Sequence, residues 1–137
     1  NDLPKGYAPK EVISMLSPLK DKLLCVRGNC DTEVDQMVLP FPVLAEYAYV
    51  VSEKVNIFAT HGHIFNEDNL PPLSKGDVLL NGHTHIPALR EHESYIYMNP
   101  GSVSIPKENS EHSYMTFDGT EFLWKNLDGE IYKTYTL

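Results

Sequence analysis

The chain has 137 residues, 42% of them hydrophobic and 22% charged, with a formal net charge of -8. That length fits one domain spanning residues 1–137, and the acidic balance excludes an extended basic groove for DNA or RNA, whose binding rests on Lys and Arg neutralising phosphates. No run approaches the roughly 18 apolar residues of a membrane span, and Cys25 and Cys30 are too few for a disulfide framework, so a reducing, cytoplasmic setting is expected.

The opening Asn1-Asp2-Leu3-Pro4-Lys5-Gly6 is polar and turn-like, without the pattern of a signal peptide. It carries no initiator Met, so the expectation is a processed start or a piece of a longer chain. Ala8-Pro9-Lys10-Glu11 opens a short helix with Pro9 in the first turn, where its missing donor costs nothing. Val12, Ile13 and Leu16 form its apolar stripe, and Pro18 ends it. Leu23 to Val26 is apolar at successive positions, which predicts a strand covered on both faces and, after the helix, half of a βαβ unit.

Gly28-Asn29-Cys30-Asp31 follows as a loop, and Thr32 to Val38 predicts a helical turn before Pro40 and Pro42. Tyr47 to Val51 and Val55 to Ala59 flank Ser52-Glu53-Lys54, a hairpin pattern. Thr60-His61-Gly62-His63 closes the second of these strands. A polar loop over Asn66 to Gly76 leads to Val78 to Leu80, a further buried strand that runs into Gly82-His83-Thr84-His85. The last third predicts short strands at Ala88 to His92, Tyr95 to Met98, Tyr114 to Phe117, Glu121 to Lys125 and Glu130 to Tyr135. Asp118-Gly119 and Asp128-Gly129 are hairpin turns between them. Alternation of Tyr95 and Tyr97 with Ile96 and Met98 suits a sheet with one covered face. The fold class is α/β with two sheets.

Four of the six histidines fall in two of these strand-end clusters. Imidazoles delivered beside glycines at strand ends suit a metal-binding loop, because neutral imidazole is a common transition-metal ligand and Asn adds a carbonyl oxygen. His83 and His85 follow Gly82 in a loop and are free to diverge toward two ions. Two such ions, about 3.5–4 Å apart, clamp the oxygens of a phosphoryl group in an in-line displacement. His92 and His112 have no companions and read as structural or surface residues. His63 has two readings, lining the site or orienting His61.

These clusters, followed by Asn99-Pro100-Gly101-Ser102-Val103-Ser104-Ile105-Pro106-Lys107, resemble the calcineurin-like metallophosphoesterases, and within them the small bacterial phosphodiesterases of the YfcE type. The resemblance covers nearly the whole chain, and the ordered set of motifs carries it. It implies a two-sheet αββα sandwich and hydrolysis of a small phosphodiester through a binuclear centre of divalent metals. Mn²⁺ is favoured, with Zn²⁺, Fe²⁺, Ni²⁺ or Mg²⁺ possible, because mixed N/O ligands select poorly by affinity. Asn29, His61 and His83 resemble the ligands of one metal, and His85 a ligand of the other. Cys30 stands where many relatives place a His that contacts the scissile phosphate; a packed loop cysteine is the plainer reading. Arg27 meets a phosphate or pairs with a carboxylate, and Asp31 caps the following turn; for both the structural reading is favoured. The Asn99-Pro100-Gly101-Ser102 turn is read as a tight turn closing the floor of the site.

The family also places an Asp-x-His segment and a Gly-Asp segment ahead of these motifs, and neither occurs here. The resemblance therefore implies an incomplete sandwich lacking N-terminal strands and a helix, at least one βαβ unit of roughly 30 residues. An incomplete chain is expected to be inactive alone, and to expose open strand edges that pair with a second copy or a complementing N-terminal fragment. The competing readings are a non-catalytic interaction scaffold, resembling the vacuolar sorting subunit of retromer, and an inactive remnant of an enzyme.

Overall fold

The computed structural model describes residues 3–137; Asn1 and Asp2, the first residues of the turn-like opening, lie outside them. Helix α1 spans Pro9–Leu16 with Pro9 in its first turn. At Pro18 the chain tightens into a 3-10 helix over Ser17–Lys22. The stripe on α1 is weaker than its periodicity suggests. Ile13 and Leu16 are half-buried, Val12 is exposed, and the helix packs mainly on its own 3-10 continuation.

Leu23 to Val26 is not a strand. Leu23 has extended backbone angles, φ -104 and ψ 132, but the segment joins no ladder and Leu24 is 72% exposed. An apolar run specifies a tendency to extend and to be covered; the partner must come from elsewhere in the chain. Just after it, the Arg27 N–H donates to the carbonyl of Ala45 at 2.7 Å. Cys25, expected inside a strand, is consequently only half-buried.

Helix α2, Glu33–Val38, begins with a capping box. Thr32 N–H donates to Asp35 Oδ2 at 2.8 Å, and the Thr32 side chain accepts from the N3 backbone. Strands β1 (Ala48–Val51) and β2 (Asn56–Ala59) form the predicted antiparallel hairpin. Strand β3 (Asp77–Leu80) lies parallel to β2, and β5 (Tyr95–Pro100) parallel to β3, with β4 (Pro87–Glu91) antiparallel to β5 at the edge. The sheet order is β1-β2-β3-β5-β4. Strands β6 (Ser113–Phe117), β7 (Glu121–Asn126) and β8 (Ile131–Thr136) form a second, antiparallel sheet. Its turns lie at Asp118-Gly119 and Asp128-Gly129, where both glycines take positive φ.

The fold is thus mixed α/β with two sheets and few helices. The sheets meet through Val55, Ile57, Val78, Met98, Phe122 and Trp124. The opposite face of the larger sheet is also covered, by a cluster of Phe58, Leu79, Tyr95 and Tyr97 with Leu73 and Ala88. Tyr47 stacks on Phe58 at 5.1 Å. Strand β5 therefore departs from the one-sided pattern expected of it: Tyr95 and Tyr97 enter one core and Met98 the other, all three buried. Among the described residues no helix is long and apolar enough to cross a membrane.

Candidate metal centre

Strands β2, β3 and β5 run parallel, so their C-terminal ends share one edge of the sheet. Thr60-His61-Gly62-His63, Asn81-Gly82-His83-Thr84-His85 and Asn99-Pro100-Gly101 leave from that edge. A shared edge is the usual place for ligands in open α/β sheets, because loops from neighbouring strands converge there.

His61 Nε2 lies 2.8 Å from Asn29 Oδ1 and 3.2 Å from His83 Nδ1. The two rings are 5.1 Å apart between centroids. One imidazole nitrogen has at most one proton to share between two such neighbours, and a common cation would satisfy all three. Donor atoms bound to one ion at about 2.0–2.1 Å stand roughly 3.0–3.4 Å from each other, close to the spacings found. The third donor is an amide oxygen; among the described residues no cluster of three His, Cys, Asp or Glu is arranged to hold an ion. The three donors thus fit part of the coordination of one divalent metal, with the Asp31 carboxylate acting on His61 through space and not as a member of the trio.

His83 and His85 both take φ 62, a left-handed conformation rare outside glycine. The two residues diverge as a result. His83 faces His61, while His85 Nδ1 lies 2.7 Å from the carbonyl of Ile105. That bond leaves Nε2 as the nitrogen of His85 able to take a ligand, in the pattern of metal-bound imidazoles held by a backbone carbonyl. His63 is exposed, 5.3 Å from His61 and 6.2 Å from His83 between ring centroids. It makes no hydrogen bond to His61 and lines the cleft that Arg27 and Asn29 also line.

The loop before Asn29 is braced internally. Asp31 Oδ2 accepts from Gly28 N–H at 2.7 Å, and Arg27 Nε donates to the carbonyl of Asp31 at 3.0 Å. Asp31 therefore braces its own loop; the cap on α2 falls to Thr32 and Asp35. Arg27 pairs with a carbonyl, where a carboxylate was considered. A side chain at Gly28 would press on the His61 ring, at 3.4 Å. Cys30 is exposed, its Sγ 3.6 Å from Asn29 Nδ2.

Two buried asparagines brace the loops, a role that no motif singled out. Asn81 Nδ2 donates to the carbonyls of Thr60 and Phe65. Asn99, fully buried, donates to the carbonyl of Gly82 at 2.8 Å and to Thr84 Oγ1 at 3.1 Å. Its Oδ1 accepts from Gly101 N–H at 2.9 Å, so the turn after β5 does tie down the floor of the site. At Gly101, φ 81, a Cβ would stand 2.8 Å from Pro87. Unbroken strand patterning conceals such residues; a polar residue at a core strand end is their only signal.

Burial holds the His61 imidazole below its ordinary value, and the neighbouring His83 and His63 push the same way. A depressed folded-state value means that unfolding takes up protons as pH falls through the usual imidazole range. Stability from this group is present above about pH 6.5 and lost as acid reaches the lower folded value. Urea melts of the metal-free chain are expected to show a falling midpoint from pH 7.5 to 5.5, with a shallower fall in His61→Asn. Identical slopes in the two proteins would refute the assignment.

A two-sheet sandwich with an Asn and three histidines gathered at its parallel-strand edge defines the phosphoesterase class of α/β proteins. The chain belongs to the calcineurin-like phosphoesterase superfamily, whose domain it matches over residues 6–121. It is 49% identical over 118 residues to phosphodiesterase YfcE of Escherichia coli K12, covering 86% of this chain and 64% of that protein. A probable metallophosphoesterase of Methanothermobacter thermautotrophicus is 30% identical over 117 residues, covering 80% and 62%. The solved structure of the E. coli YfcE phosphoesterase superposes with TM-score 0.93 at 44% identity, over 99% of this chain and 75% of that one. A Vps29 structure from Entamoeba histolytica, at 17% identity and TM-score 0.57, shares the fold alone. The chain therefore spans less than two thirds of the length of the curated relatives it matches.

Proposed function

We propose that this chain is a single domain carrying the histidine half of a metal-dependent phosphodiesterase. The observation that supports this most is the contact of Asn29 Oδ1, His61 Nε2 and His83 Nδ1, at 2.8 and 3.2 Å, where the parallel strands end. These three would hold one divalent ion, and His85 would contribute to a second. Bound divalent ions lower the pKa of water and neutralise charge developing on phosphoryl oxygens. Mn²⁺ is the preferred occupant, with Zn²⁺, Fe²⁺, Ni²⁺ or Mg²⁺ as alternatives, in a cytoplasmic setting.

The chain's own groups set the geometry. Asn99 and Asn81 hold the two histidine loops, and the Ile105 carbonyl turns His85. Cys30 and Arg27 stand beside Asn29, with His63 across a cleft of about 230 Å³ that Arg27, Asn29, Glu46, Thr60, Ile64 and Phe65 also line. A diester entering between them would meet Arg27 as a charge partner and Cys30 as a contact to phosphate. The thiol is a weaker acid–base partner than an imidazolium, so it is given no proton-transfer role.

Among the described residues no carboxylate completes the trio, so two tightly held ions would need further ligands. The chain alone is accordingly proposed to be inactive and to pair with itself or with a complementing N-terminal segment. The unpaired extended stretch from Leu23 to Val26, with Leu24 exposed, supports that pairing. Calorimetric titration with Zn²⁺ or Mn²⁺, on material sized by light scattering, tests the set. One tight ion per chain, an associated state, and hydrolysis of bis(p-nitrophenyl) phosphate only when the N-terminal segment is supplied are expected. A monomer with no tight ion, or a supplemented protein without turnover on any divalent metal, would overturn it.

A further inference from the structure

A second cleft, of about 220 Å³, is lined by His83 and not by Asn29. Its walls are polar and come from four places: Glu67 and Asp68 on the loop after His63, His83 and Thr84 after β3, Arg90 on β4 and Tyr97 on β5. Arg90 is held firmly. Its Nε lies 3.0 Å from both carboxylate oxygens of Glu67, its Nη2 lies 2.5 Å from one of them, and its guanidinium sits 4.5 Å over the Tyr97 ring. His92, stacked on Tyr95 at 4.4 Å, holds the same carboxylate from the other side at 2.6 Å.

This clamp spends part of Arg90 and leaves the rest. A guanidinium has five N–H donors in a rigid fork. Glu67 occupies Nε–H and one proton of Nη2, so three donors remain. Their positive charge is already offset by Glu67, and Asp68 adds a second carboxylate with no side-chain hydrogen bond among the described residues. The fixed charges of the cleft are two carboxylates and one guanidinium. A second phosphate or carboxylate would be repelled, whereas hydroxyl groups, which both accept and donate, match Arg90 on one side and Asp68 and Thr84 on the other. Asn81, 2% exposed, also lines this cleft and has an Oδ1 without a partner among the described residues.

We propose that the Glu67–Arg90–Tyr97 cleft receives a neutral, hydroxyl-bearing alcohol arm of the phosphodiester, with Arg90 and Asp68 as its specificity-determining residues. The proposal rests on the phosphodiesterase reading and adds the chemistry of one ester arm to it. A diester differs from a monoester in having two organic arms; one cleft is lined by Asn29 and His63 and the other by His83, so each reaches the candidate centre through a different one of its residues and can take one arm. The more apolar Ile64 and Phe65 belong to the first cleft, so the polyol is assigned to the second.

The test is an NMR titration of the chain with saturating Zn²⁺, a diamagnetic ion, using dimethyl phosphate and glyceryl methyl phosphate. The glyceryl ester is expected to bind about tenfold more tightly, equivalent to about 1.4 kcal/mol. It should shift the Arg90 Nε–H and the amides of Asp68 and Thr84, which dimethyl phosphate leaves in place. Asp68→Lys should reverse the preference toward an arm bearing a carboxylate, tested with the methyl phosphate ester of glycerate; a merely structural role for Asp68 would not produce that reversal. Equal binding of the two esters with uncharged arms, with shifts confined to the surroundings of His61 and His83, overturns this proposal and leaves the phosphodiesterase reading standing. Absence of shifts around His61 and His83 with either ester removes both.

Discussion

His61→Ala is expected to lower the affinity of the chain for Zn²⁺ or Mn²⁺ by about 100-fold. Structural zinc sites with four ligands bind with about 10–16 kcal/mol at neutral pH, roughly 3 kcal/mol for each ligand. His61 is the worst ligand to lose, because Nε2 is the atom that both Asn29 Oδ1 and His83 Nδ1 approach, at 2.8 and 3.2 Å. His112→Ala is the matched control. Its Nδ1 lies 2.7 Å from the carbonyl of Val103, outside the site, and its loss should leave metal affinity within about twofold, as expected for a surface substitution. Competition calorimetry or a chromophoric chelator reads both. Equal affinities in His61→Ala and His112→Ala would remove the trio as a metal centre.

Trp124→Ala should cost about 3–5 kcal/mol of stability, the range for deleting a large buried aromatic. Trp124 is fully buried in the core between the sheets, and its Nε1–H donates to the carbonyl of Asn99 at 2.8 Å. The loss would be a large share of the about 5–15 kcal/mol that holds a typical domain folded. The same residue connects packing to the site, since the Asn99 side chain holds Gly82 and Thr84 on either side of His83. Trp124→Phe separates the two effects. It retains most of the apolar volume and leaves the Asn99 carbonyl buried without its donor, a cost of about 1–3 kcal/mol. Denaturant melts should rank the variants in that order. Metal affinity of the folded Trp124→Phe protein should fall several-fold if the floor transmits to His83, and an unchanged affinity would confine Trp124 to the core.

Much of the fold is legible in the sequence. The Asp118-Gly119 and Asp128-Gly129 turns announce the small sheet because tight hairpin connections of two or three residues need a position with φ above zero, and glycine supplies it. The hairpin of β1 and β2 and the buried β3 follow from β-branched and apolar runs with polar punctuation. Leu23 to Val26 is as apolar as Val78 to Leu80 of β3 and has a different fate, because β3 has two strand neighbours and, among the described residues, this segment has none. A run of apolar side chains encodes a preference for cover, and ladder partners are a long-range property.

The Glu67–Arg90–His92 clamp was likewise hidden. Its members are 23 and 25 residues apart in sequence, and each alone is an ordinary surface residue. Burial and the Arg90 bonds together set the ionisation of Glu67. The guanidinium's hydrogen bond leads, and the net result is a carboxyl below its usual range.

Residue types and their spacing were enough to determine the chemistry this chain offers: imidazoles and one carboxamide at the ends of apolar runs, and two sheets. Only the folded chain decided which donors meet. Parallel pairing of β2 with β3 brings residues 61 and 83 to one edge, and positive φ at His83 and His85 sends their rings apart. Side-chain identity fixes what an atom can bind, whereas strand direction and backbone dihedrals, set by distant pairing partners, fix where that atom stands.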